Sequence, residues 1–348
     1  MILDPETLMP APEVETLVAA ADKMDLPGRL KTELHASVVE LNTGVCLDGR
    51  EALEAIRALR RAASAIASES GLRIAAAGAH PRARAEDLEI VQEPRYLEFV
   101  EYAGVSARRQ GVNGLHVHVG MPSAEESLHA LDGILPWMPL ALALSANSPY
   151  LSGEEAGLAS ARAEILALLP RRGAPPALRS YAEWERLIER LVATGLVADY
   201  TAIWWDARIH PRFGTLEVRS PDQPTSIDMT IAFVALVQAL CAHALSEPRR
   251  FGDPGSRVVY DQNRWAASRF GPRADLIHPD SFRAVPAGEL AEELLERVRP
   301  AARELGTEDL LEAIDPHRCE GDRQLEIGRS DGLEALCGDL VERTVDFD

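Results

Sequence analysis

The segment Asn113-Gly-Leu-His-Val-His-Val-Gly120 constrains the fold more than any other stretch of the chain. Successive side chains of a β-strand point to opposite faces. Leu115, Val117 and Val119 therefore share one face, and His116 and His118 share the other. Such a strand suits a sheet packed on helices on one side and open on the other. Thr215-Leu-Glu-Val-Arg219 repeats the pattern, with Glu217 and Arg219 opposed to Leu216 and Val218. Strands and helices are mixed without strict β-α-β alternation. The pattern predicts an α+β domain with a mostly antiparallel sheet rather than a doubly wound one. An open polar sheet face is a natural floor for an active site.

Apolar residues at spacings of three and four predict helices over 12–24, 51–70, 94–110, 124–146, 181–193, 226–245 and 288–305, the fourth interrupted near Pro136 and Pro139. Extended segments are expected at 31–43, 72–77, 115–119, 202–205 and 215–219, and a Pro/Gly/Arg loop at 170–176. The 348 residues allow one large domain or two small ones. The composition, 46% hydrophobic and 26% charged, is that of an ordinary globular protein. A formal net charge of −19 argues against a nucleic-acid partner. It leaves room for a small polyanion in a local nest of arginines and metal. The richest apolar run, Ile231 to Leu245, is too short to span a bilayer, and no secretory signal precedes it. A cytoplasmic protein without a membrane partner is the expectation. Cys46, Cys241, Cys319 and Cys337 form no C-x-x-C pair, which favours reduced, buried thiols.

Two imidazoles on one polar strand face, bracketed by glycines, suit a metal or ligand site. The plainer reading is two histidines satisfied by hydrogen bonds. Glu217 beside Arg219 could be a structural ion pair. The flanks raise the stakes, because Asp206, Arg208, His210 and Arg212 lie just upstream in Trp204-Trp-Asp-Ala-Arg208 and His210-Pro-Arg-Phe-Gly214. In Lys31–Glu40, Glu33, His35 and Ser37 share strand parity. Glu40 sits at an odd offset from Glu33, so it needs a bulge to face the same way, or it belongs elsewhere. His80 in Gly78-Ala-His-Pro81 reads as a structural turn residue. Asn263, Arg264 and Arg269 read as part of a helix, with a plain surface helix as the alternative.

Taken together, TELHASVVELNTGVC, GAHP, NGLHVHVG, LSANSPYLSG with the following ASAR, WWDARIHPRFGTLEVR and NRWAASRFG resemble the bacterial carboxylate–amine ligases of the glutamate–cysteine ligase type 2 family. The matches run in family order from about Leu30 to Gly271. The resemblance implies a fold like the catalytic domain of glutamine synthetase, a curved antiparallel sheet backed by helices. It implies one ligase domain over 1–348, with a catalytic core over about 30–271 and a helical tail over 272–348. It implies that ATP phosphorylates a carboxylate and an amine then displaces the phosphate, with glutamate and cysteine as the default pair and other amines open. Hard oxygen ligands would suit Mg²⁺ or Mn²⁺. By resemblance, Glu33, Glu40, His116 and Glu217 are the metal ligands. Arg219 would stabilise the transferring phosphoryl group, with Arg212 as a second catalytic arginine. His118, Arg208, Arg162, Asn263 and Arg264 would contact ATP or substrate, and a homo-oligomer is possible.

One departure stands out. The family opens with a strand carrying Gly-x-Glu-Glu-Glu ahead of a Leu-Asp-Pro-like segment, whereas this sequence starts Met1-Ile-Leu-Asp-Pro5. A chain without that strand is expected to hold metal–ATP poorly. Two other readings compete. One is a metal-dependent hydrolase using His116, His118 and Glu217 without ATP, disfavoured by the lack of H-E-x-x-H. The other is an inactive binding protein on a ligase fold.

Overall fold

The alternation in Asn113–Gly120 becomes the edge of a three-stranded antiparallel sheet in the computed structural model, which describes residues 1–249 and 256–347. Thr215–Val218 is the middle strand, with Ala207–His210 on one side and Val117–Gly120 on the other. The register puts Val117, Val218 and Ala207 in one cross-strand row and Val119, Leu216 and Ile209 in another. Of these, all but Val119 are fully buried, and Val119 packs against the same core. Between the two apolar rows, His118, Glu217 and Arg208 form a polar row on the opposite face. Ala207–His210 was not legible as a strand. All four of its residues are buried, Arg208 and His210 included, so no polar–apolar alternation marks it.

The apolar face rests on helices Ala124–Ile134, Ile227–Ser246 and Ala287–Glu304, which share its core. Ile227–Ser246 is apolar nearly all round, as suits a helix enclosed by others. It packs against Gly49–Glu69 as well as against the other two. As a helix it extends past the run Ile231–Leu245 at both ends, and it and 124–145 are long and apolar enough to cross a membrane. Length alone therefore does not keep this helix out of a membrane. Both segments are mostly buried inside the fold, as core helices are. A second core joins Ile2, Leu17, Leu30, Leu59 and Ile74, and Ile2–Leu3 pairs with Arg73–Ile74. The strand expected over 72–77 shrinks to that pair.

The extended segment expected over 31–43 is a hairpin instead. Gly28–Thr32 pairs with Val39–Thr43, with Lys31 opposite Glu40. Residues 33–38 form the connection, so Glu33, His35 and Ser37 do not share a strand face. Leu34, His35, Ala36 and Ser37 are buried in succession, which one face of a regular strand cannot do. The helix expected over 94–110 breaks at Gly104, whose φ of +57° favours glycine. The helix within 226–245 and the one over 181–193 lie where expected. Among the described residues the remaining pairing is in two-stranded sheets, one of them parallel, joining Arg172–Gly173 to Trp204–Trp205.

The C-terminal segment opens with a hairpin, Asp275–Ile277 with Ala284–Pro286, before helices Ala287–Glu304, Glu320–Ser330 and Gly332–Thr344. The last helix packs Leu336 and Leu340 against Leu3, Ala75, Ala77 and Tyr150. All four cysteines are free and three of them are buried.

Candidate active site

Glu217 is the centre of the open face. It is 2% exposed yet carries a carboxylate. A buried charge needs paired partners, and two arginines supply them. Arg208 donates from Nε to Oε2 at 2.5 Å, and Arg219 donates from Nη1 to Oε1. Burial alone would raise the Glu217 carboxyl; Arg219 and then Arg208 overcome it and hold it well below the usual carboxylate range. His118 Nε2 and His116 Nδ1 stand 3.8 and 4.0 Å from Oε1. Burial, then the positive charge of Arg219, pushes His116 well below its ordinary value. Burial also lowers His118, against the pull of Glu217. Both rings are therefore neutral near pH 7, and His118 Nδ1 meets Thr215 Oγ1 at 2.9 Å.

Arg219 is held by its backbone as well. Its N–H donates to Asp206 O at 2.8 Å, and its carbonyl accepts from Arg162 Nη2 at 2.9 Å. Arg162 also donates to Ser220 O and lies 3.6 Å from Asp222, which is fully buried. Asp222 accepts from Ser148, Ser160 and the Asn147 N–H. Gly114 lies against this guanidinium: a Cβ there would come within 1.9 Å of Arg162 Nη2. That explains the first glycine of the bracketed strand. The second, Gly120, faces open space.

The connection 33–38 brings a second pair of carboxylates toward this face. Burial and the neighbouring charge of Glu40 raise Glu33, opposed by the Leu34 N–H, Arg219 and Arg95. Chain reversal in the hairpin, not a bulge, is what brings Glu40 near Glu33. A hard divalent cation suits such a pair of oxygen donors. Glu217 is different, because both of its oxygens already accept from guanidinium groups. Among the described residues no three His, Cys, Asp or Glu side chains cluster tightly enough to hold a metal. The four expected ligands thus split into the carboxylate pair Glu33 and Glu40, and Glu217, already paired with two arginines, with His116 beside it.

Other expected contacts sit elsewhere. Asn263 pairs with the backbone of Ile277 through both Oδ1 and Nδ2. Arg264 donates to Asp206 and to Ala163 O, beneath Arg219. Arg212 is exposed at the hairpin turn, 6.0 Å from the Phe213 ring. Aromatic residues that no motif singled out for a role, together with His210, complete the site. Tyr260 donates to Asp206 at 2.7 Å, and Tyr200, His210 and Phe213 cluster beside His118. Their signal was the aromatic and histidine density of 200–213, which periodicity alone does not rank. A separate cavity of about 510 Å³ among the C-terminal helices includes none of these residues. Its arginines, Arg273, Arg318 and Arg329, are each engaged in an ion pair.

Comparison with known proteins gives the family. A model of glutamate–cysteine ligase family 2 matches residues 1–327. A protein of Rubrobacter xylanophilus, provisionally named glutamate–cysteine ligase 2-3, is 40% identical over 347 residues, covering 99% of this chain and 94% of the relative. The glutamate–cysteine ligase of Natronomonas pharaonis is 35% identical over 318 residues, covering 90% and 85%. The crystal structure of a glutamate–cysteine ligase from Francisella tularensis in complex with AMP is similar in fold, with a TM-score of 0.65 at 13% identity over 99% of this chain and 86% of that one. The chain belongs to glutamate–cysteine ligase family 2 and is an enzyme of the ligase type, one that joins a carboxylate to an amine.

Proposed function

We propose that the chain uses ATP to activate a carboxylate as an acyl phosphate and passes the acyl group to an amine, glutamate and cysteine being the leading pair. The reading rests on the Arg208–Glu217–Arg219 centre, two guanidiniums on one carboxylate, on the open face of a fold matched by the family over 1–327. The AMP bound by the Francisella ligase supports a nucleotide as the phosphoryl donor.

A carboxylate oxygen attacks the γ-phosphorus, the bond to the β-phosphate bridging oxygen breaks, and ADP leaves. The amine nitrogen then attacks the acyl carbon. The acyl C–O bond breaks, phosphate departs with that oxygen, and the nitrogen loses its surplus proton. Transfer between anions needs charge neutralised and the reacting groups held in line. Arg219 does the first: its guanidinium is partly exposed, and Glu217 and the backbone clamp fix its direction. Arg208 spends its donors on Glu217 and on the carbonyls of Thr201 and Ile203, so it positions Glu217. Arg162 positions the Arg219 backbone. Neutral His118 and His116 border the centre and can donate or accept one hydrogen bond each. Glu33 and Glu40 would hold a divalent cation, Mg²⁺ or Mn²⁺, which neutralises phosphate oxygens when bound. Residues 1–348 act as one domain in this reading, since the last helix packs against the first strand.

The test is ADP release by the purified chain. We expect it to require Mg²⁺, a carboxylate such as glutamate, and an amine together. Amide formation or hydrolysis proceeding at full rate without ATP would instead favour the hydrolase.

A further inference from the structure

We propose that His210 and Phe213 form a stacking platform for the planar base of the nucleotide, with Arg212 beside it. The proposal deepens the ATP reading given above and rests on it. Phe213 lies at the turn between Ala207–His210 and Thr215–Val218 and is 62% exposed. What marks it is its place, because the exposed ring lies 5.8 Å from the His118 ring, at the edge of the candidate centre. Its underside is not loose. The His210 ring stacks on it at 4.2 Å with an interplanar angle of 6°. His210 is in turn fixed edge-on by Tyr200, at 5.2 Å and 89°, and by His118, at 5.4 Å and 70°. The Arg212 guanidinium lies 6.0 Å from the Phe213 ring.

His210 adds a second clue. It is 7% exposed, and its Nδ1 has no hydrogen-bond partner. A buried polar atom left unpaired calls for an explanation. An aliphatic side chain would fill the space without that cost, but it would not offer a flat π-layer beneath Phe213. The position also suits a nucleotide. From Thr215, beside the platform, to Arg219 is four residues along one strand, about 13 Å. That is the order of the span from a base across its ribose to the terminal phosphate. A base on Phe213 would thus put the transferable phosphoryl group at Arg219. Stacking tolerates any flat base and cations favour ring faces, so the platform supplies affinity, with Arg212 as a second plane.

The test is equilibrium binding of ATP and of inorganic tripolyphosphate, each with Mg²⁺, to the full chain and to Phe213→Ala and Phe213→Trp. Phe213 is exposed, so both variants should fold, as circular dichroism will verify. Phe213→Ala should weaken ATP by roughly 5- to 100-fold and leave tripolyphosphate binding within about twofold, and Phe213→Trp should restore ATP binding. Equal losses for ATP and tripolyphosphate, or unchanged ATP affinity in Phe213→Ala, would overturn the platform while leaving the ATP reading intact. A wild-type chain that binds neither ligand would overturn the ATP reading and the platform with it.

Discussion

Two carboxylate sites lie within the electrostatic reach of Arg219, and they are built in opposite ways. Glu217 is enclosed between Arg208 and Arg219, and its charge is settled within the fold. Glu33 lies beside Glu40, and burial and like charge push its carboxyl up, only partly offset by Arg219 and Arg95. The first kind of site aims a cation at a substrate with little reorganisation, which is how preorganised groups stabilise developing charge. The second kind gains from a cation brought in from solution. A ligase handling two anions can use both: a fixed guanidinium on the protein and a mobile metal that arrives with the nucleotide.

The strongest challenge to this division is at the arginine end. Arg219→Met should lower kcat roughly 10³-fold, in the range of arginines that neutralise a transferring phosphoryl group. A loss below about tenfold would mean that Arg219 is structural. Glu217→Gln removes the anion between two guanidiniums and should cost about 3–5 kcal/mol in urea unfolding, because both cations are left uncompensated. Unchanged stability would show that Glu217 is not the keystone of the first site.

The hairpin connection gives a third way to divide the two sites. His35 lies there, 1% exposed, with neither ring nitrogen partnered. Burial pushes it down to about 4. In the unfolded chain its pKa is about 6.5, so below that pH the unfolded state takes up a proton that the folded state refuses. Stability is therefore lost as pH falls from 6.5 toward 4, by up to about 3 kcal/mol from this residue. His80 is likewise pushed down to about 4, so the comparison of wild type with His35→Leu isolates His35. The variant should lose less stability than wild type across that window, and parallel curves would contradict the assignment.

Smaller effects sharpen the picture. Gly114→Ala should cost about 1–3 kcal/mol, because its Cβ would strike the buried Arg162 guanidinium. Gly120→Ala, at the other end of the Asn113–Gly120 segment, should cost little. Glu40→Gln should raise the Mg²⁺ concentration for half-maximal ADP formation by about tenfold, a change of about 1.4 kcal/mol, with little change in unfolding. If Glu217→Gln shifted the Mg²⁺ requirement more than Glu40→Gln, the two sites would have to be merged.

Much of the central sheet was legible because two of its three strands alternate cleanly: His118 against Val117 and Val119, Glu217 against Leu216 and Val218. The helices were legible where one face is apolar and caps are present, as at Ser180 before Tyr181–Ala193. What stayed hidden shares a cause. Ala207–His210 buries polar and apolar residues alike, and residues 34–37 are buried in succession, so neither displays a period. Glu40 could be placed near Glu33 only through a chain reversal, which parity counting cannot see. The sequence motif singled out Glu217 and Arg219, which the fold joins in an ion pair. That two arginines saturate Glu217 was not visible, because the second, Arg208, reaches it across a strand pair rather than along one. Asn263 and Arg264 were picked out by motif, yet their hydrogen bonds serve the fold around Ile277 and Asp206.

The central claim is that an acyl phosphate forms on this face, and isotope transfer tests it most directly. Glutamate carrying ¹⁸O in its γ-carboxylate is supplied with ATP, Mg²⁺ and an amine, and the released phosphate is analysed by mass. An acyl phosphate predicts one ¹⁸O atom in each phosphate formed from fully labelled carboxylate. Amide formation with unlabelled phosphate, or phosphate release independent of the carboxylate, would contradict it.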